Sequence, residues 1–402
     1  MATMLRQVRA SRPAAALRAP GLDWLLMVAV LALLVMGSLL VWSATSARDD
    51  LTGGDPTAYL RKQLVNVAIG VVLMVMVLAT DHRWVRILAP LVYVASVCGL
   101  VLVLTSGSTI NGSRSWIQLG GMSIQPAEFA KLAVVIGMAL LVAERAEARR
   151  RYDIRLADVA GMLVIAAVPA VLIMAQPDLG TMLVLSATVF GVIAAAGAPR
   201  RWLLLMGGGG IAAGTAAVLA GVLKDYQDDR FLAFTNPDLD PRGAGYNTEQ
   251  ARIAVGNGGL FGQGLFDGSQ TRSGFVPEQH TDFIFTVAGE ELGLVGAGVL
   301  IALLGVVIWR ALVIAFQTDD TFGRIAAAGI ACWFGFQAFQ NVGMCLGIMP
   351  VTGVPLPFVS YGGSSMFAGM LAIGLLQNIH LRSTASLPTR FLTTQPRALS
   401  VR

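Results

Sequence analysis

The feature that most constrains this chain is the length of its uninterrupted apolar blocks. Leu22–Trp42, Val65–Thr80, Leu132–Val142 and Leu294–Trp309 are each almost free of charge. About 20 consecutive apolar residues in a helix cross the hydrocarbon core of a bilayer. The chain has 402 residues, 55% apolar and only 13% charged. A typical soluble domain carries roughly 25% charge, so a soluble fold has no way to hide this much apolar surface. The expected fold is an all-α integral membrane protein with about ten transmembrane helices. The pattern places them at 22–43, 62–80, 84–105, 126–143, 157–175, 179–197, 202–223, 282–316, 322–349 and 362–380. A cytoplasmic tail, 1–21, precedes the polytopic membrane domain, 22–380, and a second tail, 381–402, follows it.

The formal charge of +5 raises the question of nucleic acid, but its distribution answers otherwise. With the N-terminus inside, 19 of the 29 basic residues fall in cytoplasmic segments, including Arg145, Arg149, Arg150, Arg151 and Arg155. Nine fall outside, and Lys131 lies within a span. The bias follows the positive-inside rule with both termini cytoplasmic. It is a topology signal and implies no nucleic-acid partner. The Arg- and Ala-rich start reads as a disordered tail before an uncleaved signal anchor. Cys98, Cys332 and Cys345 all fall in apolar spans and suggest packing, not a metal site or disulfide framework.

Two segments break the pattern. Residues 224–281 form a large extracellular loop between the seventh and eighth spans. It is mildly acidic through Asp225, Asp228, Asp229, Asp238, Asp240, Glu249, Asp267 and Glu278. Its composition is not low-complexity, and it reads as an ordered cap with short helices, one around 247–255. Residues 350–363, PVTGVPLPFVSYGG, hold three prolines and three glycines and cannot continue a helix. At membrane depth such backbone must be buried in protein or face a wet cavity. The four glycines at 207–210 suggest close packing of the seventh span.

Ionisable residues inside spans are costly and mark candidate sites. Glu128 and Lys131, three apart, share a helix face. They read either as a structural ion pair or as a substrate contact. Asp282 opens the eighth span beneath the external loop, either as a helix cap or as a functional acid. Glu290 and Glu291, further along that span, read as partners of other helices. Asp178 has the sequence position of a helix N-cap.

Seven segments now gain meaning together: NGSRSWI (111–117), QPAEFAKL (125–132), QPDLGT (176–181), DPRGAGYN (240–247), GNGGLFGQGL (256–265), PEQHTDFIFTVAGEELG (277–293) and NVGMCLGIMPVTGVPLPFVSYGGSS (341–365). In this order they resemble the motif set of the SEDS family, the shape, elongation, division and sporulation proteins that include RodA, FtsW and SpoVE. The likeness spans about residues 22–380 and is greatest to the RodA branch through GAGYN, PEQHTDFIF and NVGMCLGIMPVTG. One departure is that Ser115 stands before Trp116, where many members carry a basic residue; Arg114 lies one position earlier.

The resemblance implies a peptidoglycan glycosyltransferase of the bacterial plasma membrane, acting in cell elongation and shape maintenance. Such enzymes polymerise the disaccharide units of lipid II on the extracellular side and release undecaprenyl pyrophosphate. It further implies a class B penicillin-binding protein as partner, alongside other elongation machinery. The family's essential acid falls on Asp282. An acceptor hydroxyl must lose a proton as it attacks an anomeric carbon, and a carboxylate in reach can take it. Cations must neutralise the leaving diphosphate. Lys131 and Arg252 are the first candidates, with Glu128, Arg114 and His280 completing the expected substrate-binding set. An α-linked donor giving a β-1,4 product is an inverting displacement that needs one base, unlike the close carboxylate pair of a retaining glycosidase. No cofactor is expected; a divalent cation is compatible with the chemistry. The competing readings are a lipid II flippase or transporter, whose polar spans and broken helices would look similar, and a non-catalytic scaffold for cell-wall enzymes.

Overall fold

The computed structural model describes residues 21–110, 113–119, 122–150, 152–219 and 243–385. The helices in chain order are α1 (Trp24–Ser46), α2 (Asp49–Thr52), α3 (Ala58–Ala79), α4 (His82–Ser106), α5 (Pro126–Arg149), α6 (Leu156–Ala175), α7 (Leu179–Ala195) and α8 (Arg200–Leu219). Further along the chain come α9 (Ala244–Asn257), α10 (Ser269–Ser273), α11 (Ile284–Gln317), α12 (Thr321–Cys345) and α13 (Gly363–Ala385). Eight of these are long and apolar enough to cross a membrane, and α7 is a shorter apolar helix. The chain is a multi-pass, all-α membrane protein.

Aspartates start four of the helices where the sequence permits. Asp23, Asp81, Asp178 and Asp320 each accept a backbone N–H from the first turn of α1, α4, α7 and α12. Such caps satisfy donors that a helix leaves open. α5 is the central helix, with 83% of its apolar window buried, against 17% for α4 at the periphery. It packs on α4, α6, α12 and α7.

The loop between α4 and α5 forms a small sheet in the order β1 (Ser108–Ile110), β2 (Ser113–Leu119), β3 (Met122–Ile124), both pairings antiparallel. The apolar periodicity gave no sign of it, because the strands are short and lie outside the spans.

Two expectations change. The eighth span, expected as one helix over 282–316, breaks at Gly293, where φ is 66°. Such a left-handed backbone is tolerated by glycine. A Cβ at Gly293 would lie 2.3 Å from the backbone nitrogen of Gly262, so the glycine-rich run 256–264 packs directly on this break. Glu290 and Glu291 therefore precede the break. Glu290 accepts the backbone N–H groups of Gln270 (2.7 Å) and Thr271 (2.9 Å) at the start of α10. Glu291 accepts the Ser43 hydroxyl of α1 at 2.6 Å.

The four-glycine run gives the second change. Nothing lies within 4 Å of a Cβ built at Gly208, Gly209 or Gly210, so among the described residues no helix packs closely there. Within residues 224–281, α9 covers the stretch 247–255 and α10 is a second short helix. Asp225, Asp228, Asp229, Asp238 and Asp240 lie outside the described residues.

Candidate functional site

The segment 350–362 departs from the helix ladder, so its carbonyls need other partners. α12 supplies them from one face. Gln337 donates to the Pro355 carbonyl (2.9 Å), Gln340 to the Pro350 carbonyl (3.3 Å), and Asn341 to the Val354 carbonyl (2.7 Å). The segment is threaded between helices. A Cβ at Gly180 would meet the Thr352 carbonyl oxygen at 2.4 Å, and one at Gly37 would meet Val359 Cα at 2.6 Å. It is interior backbone and not a plain surface turn.

Beside this segment lies a cavity of about 820 Å³. Its walls come from the start of α3 (Tyr59, Arg61, Lys62), β2 (Ser113, Ser115, Trp116), the α6–α7 junction (Pro177, Asp178), the approach to α11 (Glu278, His280, Thr281, Asp282) and the broken segment (Thr352, Gly353, Tyr361). Elements far apart in sequence converge on one polar space.

Asp282 borders that space and is not the cap of α11. The N-cap there is Phe283, with no side-chain cap bond. The Asp282 backbone carbonyl accepts from Asn341 Nδ2 at 2.7 Å. Its carboxylate faces Gly353, where a Cβ would lie 3.2 Å from Oδ2. His280 also lines the cavity, in a ring cluster with Tyr59 at 5.0 Å and Tyr361 at 5.7 Å between centroids. Burial lowers the His280 pKa, outweighing the nearby Glu278 carboxylate that raises it; Arg48 adds to the lowering. Neutral imidazole is thereby favoured, a group that both donates and accepts hydrogen bonds. Asp178 keeps its cap role and also accepts from Gln125 Nε2 at 3.0 Å on the cavity wall.

The cations expected at the site lie elsewhere. Lys131 is fully buried, 2.7 Å from Glu128 Oε1, 2.8 Å from Gln337 Oε1 and over the Trp333 ring at 5.1 Å. Neither Glu128 nor Lys131 lines the cavity. Arg252 is exposed on α9 and paired with Glu249 at 3.6 Å. Arg114 donates to the carbonyls of Gly107 (2.9 Å) and Thr105 (2.7 Å), which holds the β2 strand to the end of α4.

The described cations on the cavity wall are Arg61 and Lys62. Arg61 pairs with Asp55. Lys62 has no carboxylate partner among the described residues and sits 5.0 Å from the Tyr59 ring centroid. Local sequence gave these residues only as external charges. The one signal that could have drawn them out is their position on the first turn of a span. Among the described residues no cluster of three or more His, Cys, Asp or Glu side chains is placed to hold a metal ion.

Fold and site together define a multi-pass membrane protein with a polar, carboxylate-bearing cavity where helix ends and broken segments meet. The chain belongs to the FtsW/RodA/SpoVE family of cell cycle proteins, whose profile matches residues 23–385. It is 37% identical over 359 residues to the peptidoglycan glycosyltransferase MrdB of Escherichia coli K12, covering 89% of this chain and 93% of that one. It is equally, 37%, identical over 360 residues to the probable peptidoglycan glycosyltransferase FtsW of Trichlorobacter lovleyi, covering 89% and 92%. A solved structure described as "Structural coordination of polymerization and crosslinking by a peptidoglycan synthase complex" superposes with a TM-score of 0.74 at 32% identity, over 90% of this chain and 98% of that one.

Proposed function

We propose that this chain polymerises glycan strands from lipid II, with Asp282 as general base and the cavity beside the broken segment 350–362 as the reaction site. The observation that carries this reading is the placement of Asp282. It lies on the cavity wall, outside the helix-capping position, on a backbone tied to the broken segment. The acceptor hydroxyl gives its proton to the Asp282 carboxylate as its oxygen bonds to the anomeric carbon. The bond from that carbon to the diphosphate breaks, and undecaprenyl pyrophosphate leaves. The transfer inverts the α-linked donor to a β-1,4 link, and a single base suffices.

Lys62, with Arg61 beside it, meets the diphosphate, a role for which Lys131, Arg252 and Arg114 are poorly placed. The ring cluster of Tyr59, His280 and Tyr361 offers apolar faces and polar edges to the sugars. With α7 and α8 counted, ten helices cross the bacterial plasma membrane, both termini are cytoplasmic, and the cavity faces outward. A class B penicillin-binding protein is the proposed partner, in keeping with the polymerising and crosslinking complex that the fold matches. The elongation role rests on the RodA-like motifs, since overall identity to the FtsW relative equals that to MrdB.

The test is polymer formation from lipid II by the purified chain with its partner, wild type against Asp282→Asn. General-base catalysis contributes about 10²–10⁴-fold, and the variant should lose at least that order while remaining folded. Near-normal polymer from Asp282→Asn would remove Asp282 as the base. Lipid II transport without any polymer from the wild type would favour the flippase reading, and neither activity would favour the scaffold.

A further inference from the structure

α12 carries a row of buried polar side chains: Trp333, Gln337, Gln340 and Asn341 are each at most 1% exposed. At spacings of four, three and one they share one helix face. Buried amides in a membrane helix are retained only where they are bonded to something. Here all three amides point at the broken segment. Asn341 bonds two chain segments at once. Its Nδ2 lies 2.7 Å from the Val354 carbonyl and 2.7 Å from the Asp282 carbonyl. Both neighbours are pure acceptors, so the amide nitrogen must be the atom facing them.

The orientation of Gln337 is fixed in a complementary way. Its Oε1 accepts from Lys131 Nζ (2.8 Å) and from Trp333 Nε1 (2.7 Å), two groups that can only donate. The Gln337 amide nitrogen is thereby aimed at the Pro355 carbonyl, 2.9 Å away. Directly before these two anchors lies Gly353, whose left-handed backbone (φ 69°) brings it against the Asp282 carboxylate. The buried Glu128–Lys131 pair thus ends, through Gln337, on the segment that shapes the space around Asp282.

We propose that Asn341 is a positioning residue for the transfer reaction: its amide ties the backbone of Asp282 to the broken segment at Val354, and Gln337, oriented by Lys131 and Trp333, fixes the same segment at Pro355. The proposal rests on the reading of Asp282 as the general base. It gives Lys131 a role at a distance from substrate. Together with Trp333 it sets the direction of one amide, and that amide sets the segment. A displacement of about 1 Å at a reacting group can cost on the order of 10²-fold in rate. A clamp on the backbone carbonyl of the residue that carries the carboxylate is a natural place for such an effect.

The experiment compares wild type, Asn341→Leu, Asp282→Asn and the double variant, each as the purified full chain with its penicillin-binding partner and lipid II. Initial rates over a range of lipid II separate kcat from KM, and thermal unfolding in detergent reports the fold. Asn341→Leu is expected to lower kcat roughly tenfold to a hundredfold with KM within about threefold. In the Asp282→Asn background it should lower the residual rate by less than about twofold, because a residue acting through Asp282 has nothing left to position. A loss carried in KM, an unchanged kcat, or an equal loss in the Asp282→Asn background would overturn the proposal. If Asn341→Leu does not fold, Gly353→Ala serves the same purpose. At its φ of 69° a side chain is strained, so the change shifts the segment next to Val354 and puts a methyl 3.2 Å from Asp282 Oδ2. A kcat-only loss there supports the proposal, and wild-type kcat refutes it. Normal activity in Asp282→Asn sinks the general-base reading itself, whereas an inactive Asp282→Asn beside a normal Asn341→Leu sinks only the clamp.

Discussion

Replacing Lys131 by methionine tests what a fully buried cation does in the centre of this fold. The side chain is 0% exposed and Glu128, its partner, 2%, with 2.7 Å between them. Methionine roughly fills the volume but leaves the Glu128 carboxylate without its counter-ion. Breaking one half of a buried ion pair costs about 3–5 kcal/mol, whereas replacing both halves with neutral groups is often close to neutral. Lys131→Met should therefore lower the unfolding temperature markedly in detergent. Glu128→Gln with Lys131→Met should recover most of that loss. The double variant should also keep polymerisation within roughly tenfold of wild type, because Trp333 Nε1 still holds the Gln337 oxygen at 2.7 Å. Reversing the two charges is a poorer test. A carboxylate at 131 would face the Gln337 oxygen and turn that amide away from Pro355. The reasoning is refuted by a double variant that is as stable as wild type but inactive, which would put Lys131 on the substrate. It is equally refuted by Lys131→Met unfolding at the wild-type temperature.

Lys62→Met should raise KM for lipid II or lower the rate by roughly tenfold or more, the scale of one hydrogen bond to a charged group at about 1.5–3 kcal/mol. Unchanged steady-state kinetics would move the diphosphate elsewhere. Glu290→Ala leaves the backbone donors of Gln270 and Thr271 open. It should destabilise the α10 region by about 1–3 kcal/mol, read as faster amide exchange over 269–274, while exchange in α5 stays the same. A cysteine placed at Ser269 should react with an impermeant thiol reagent in intact cells and one at Glu147 should not. The opposite result would reverse the topology and put the cavity on the wrong side.

The sequence by itself determined the solvent of this fold and the positions of most spans. Twenty apolar residues in a row are a local property, and a bilayer reads them locally. Helix starts were legible for the same reason, since Asp178 caps α7 with its own first turn. The motifs also led to Asp282, whose segment carries its meaning in order and spacing. What the sequence could not determine was which charges meet. Lys131 looked like a substrate contact because a lysine in a span needs a partner. An ion pair with Glu128 and a contact to substrate were both open, and packing shows the partners to be Glu128 and Gln337, the latter 206 residues away. Lys62 looked like a boundary charge until α3 was placed beside the broken segment. The break at Gly293 was hidden because apolar composition continues straight through it, and the close backbone of Gly262 that demands it comes from another part of the chain. Membrane insertion is decided residue by residue along the chain. The cavity is decided by long-range contacts among α3, β2, α7, α11 and the segment before α13, and those exist only once the helices have packed.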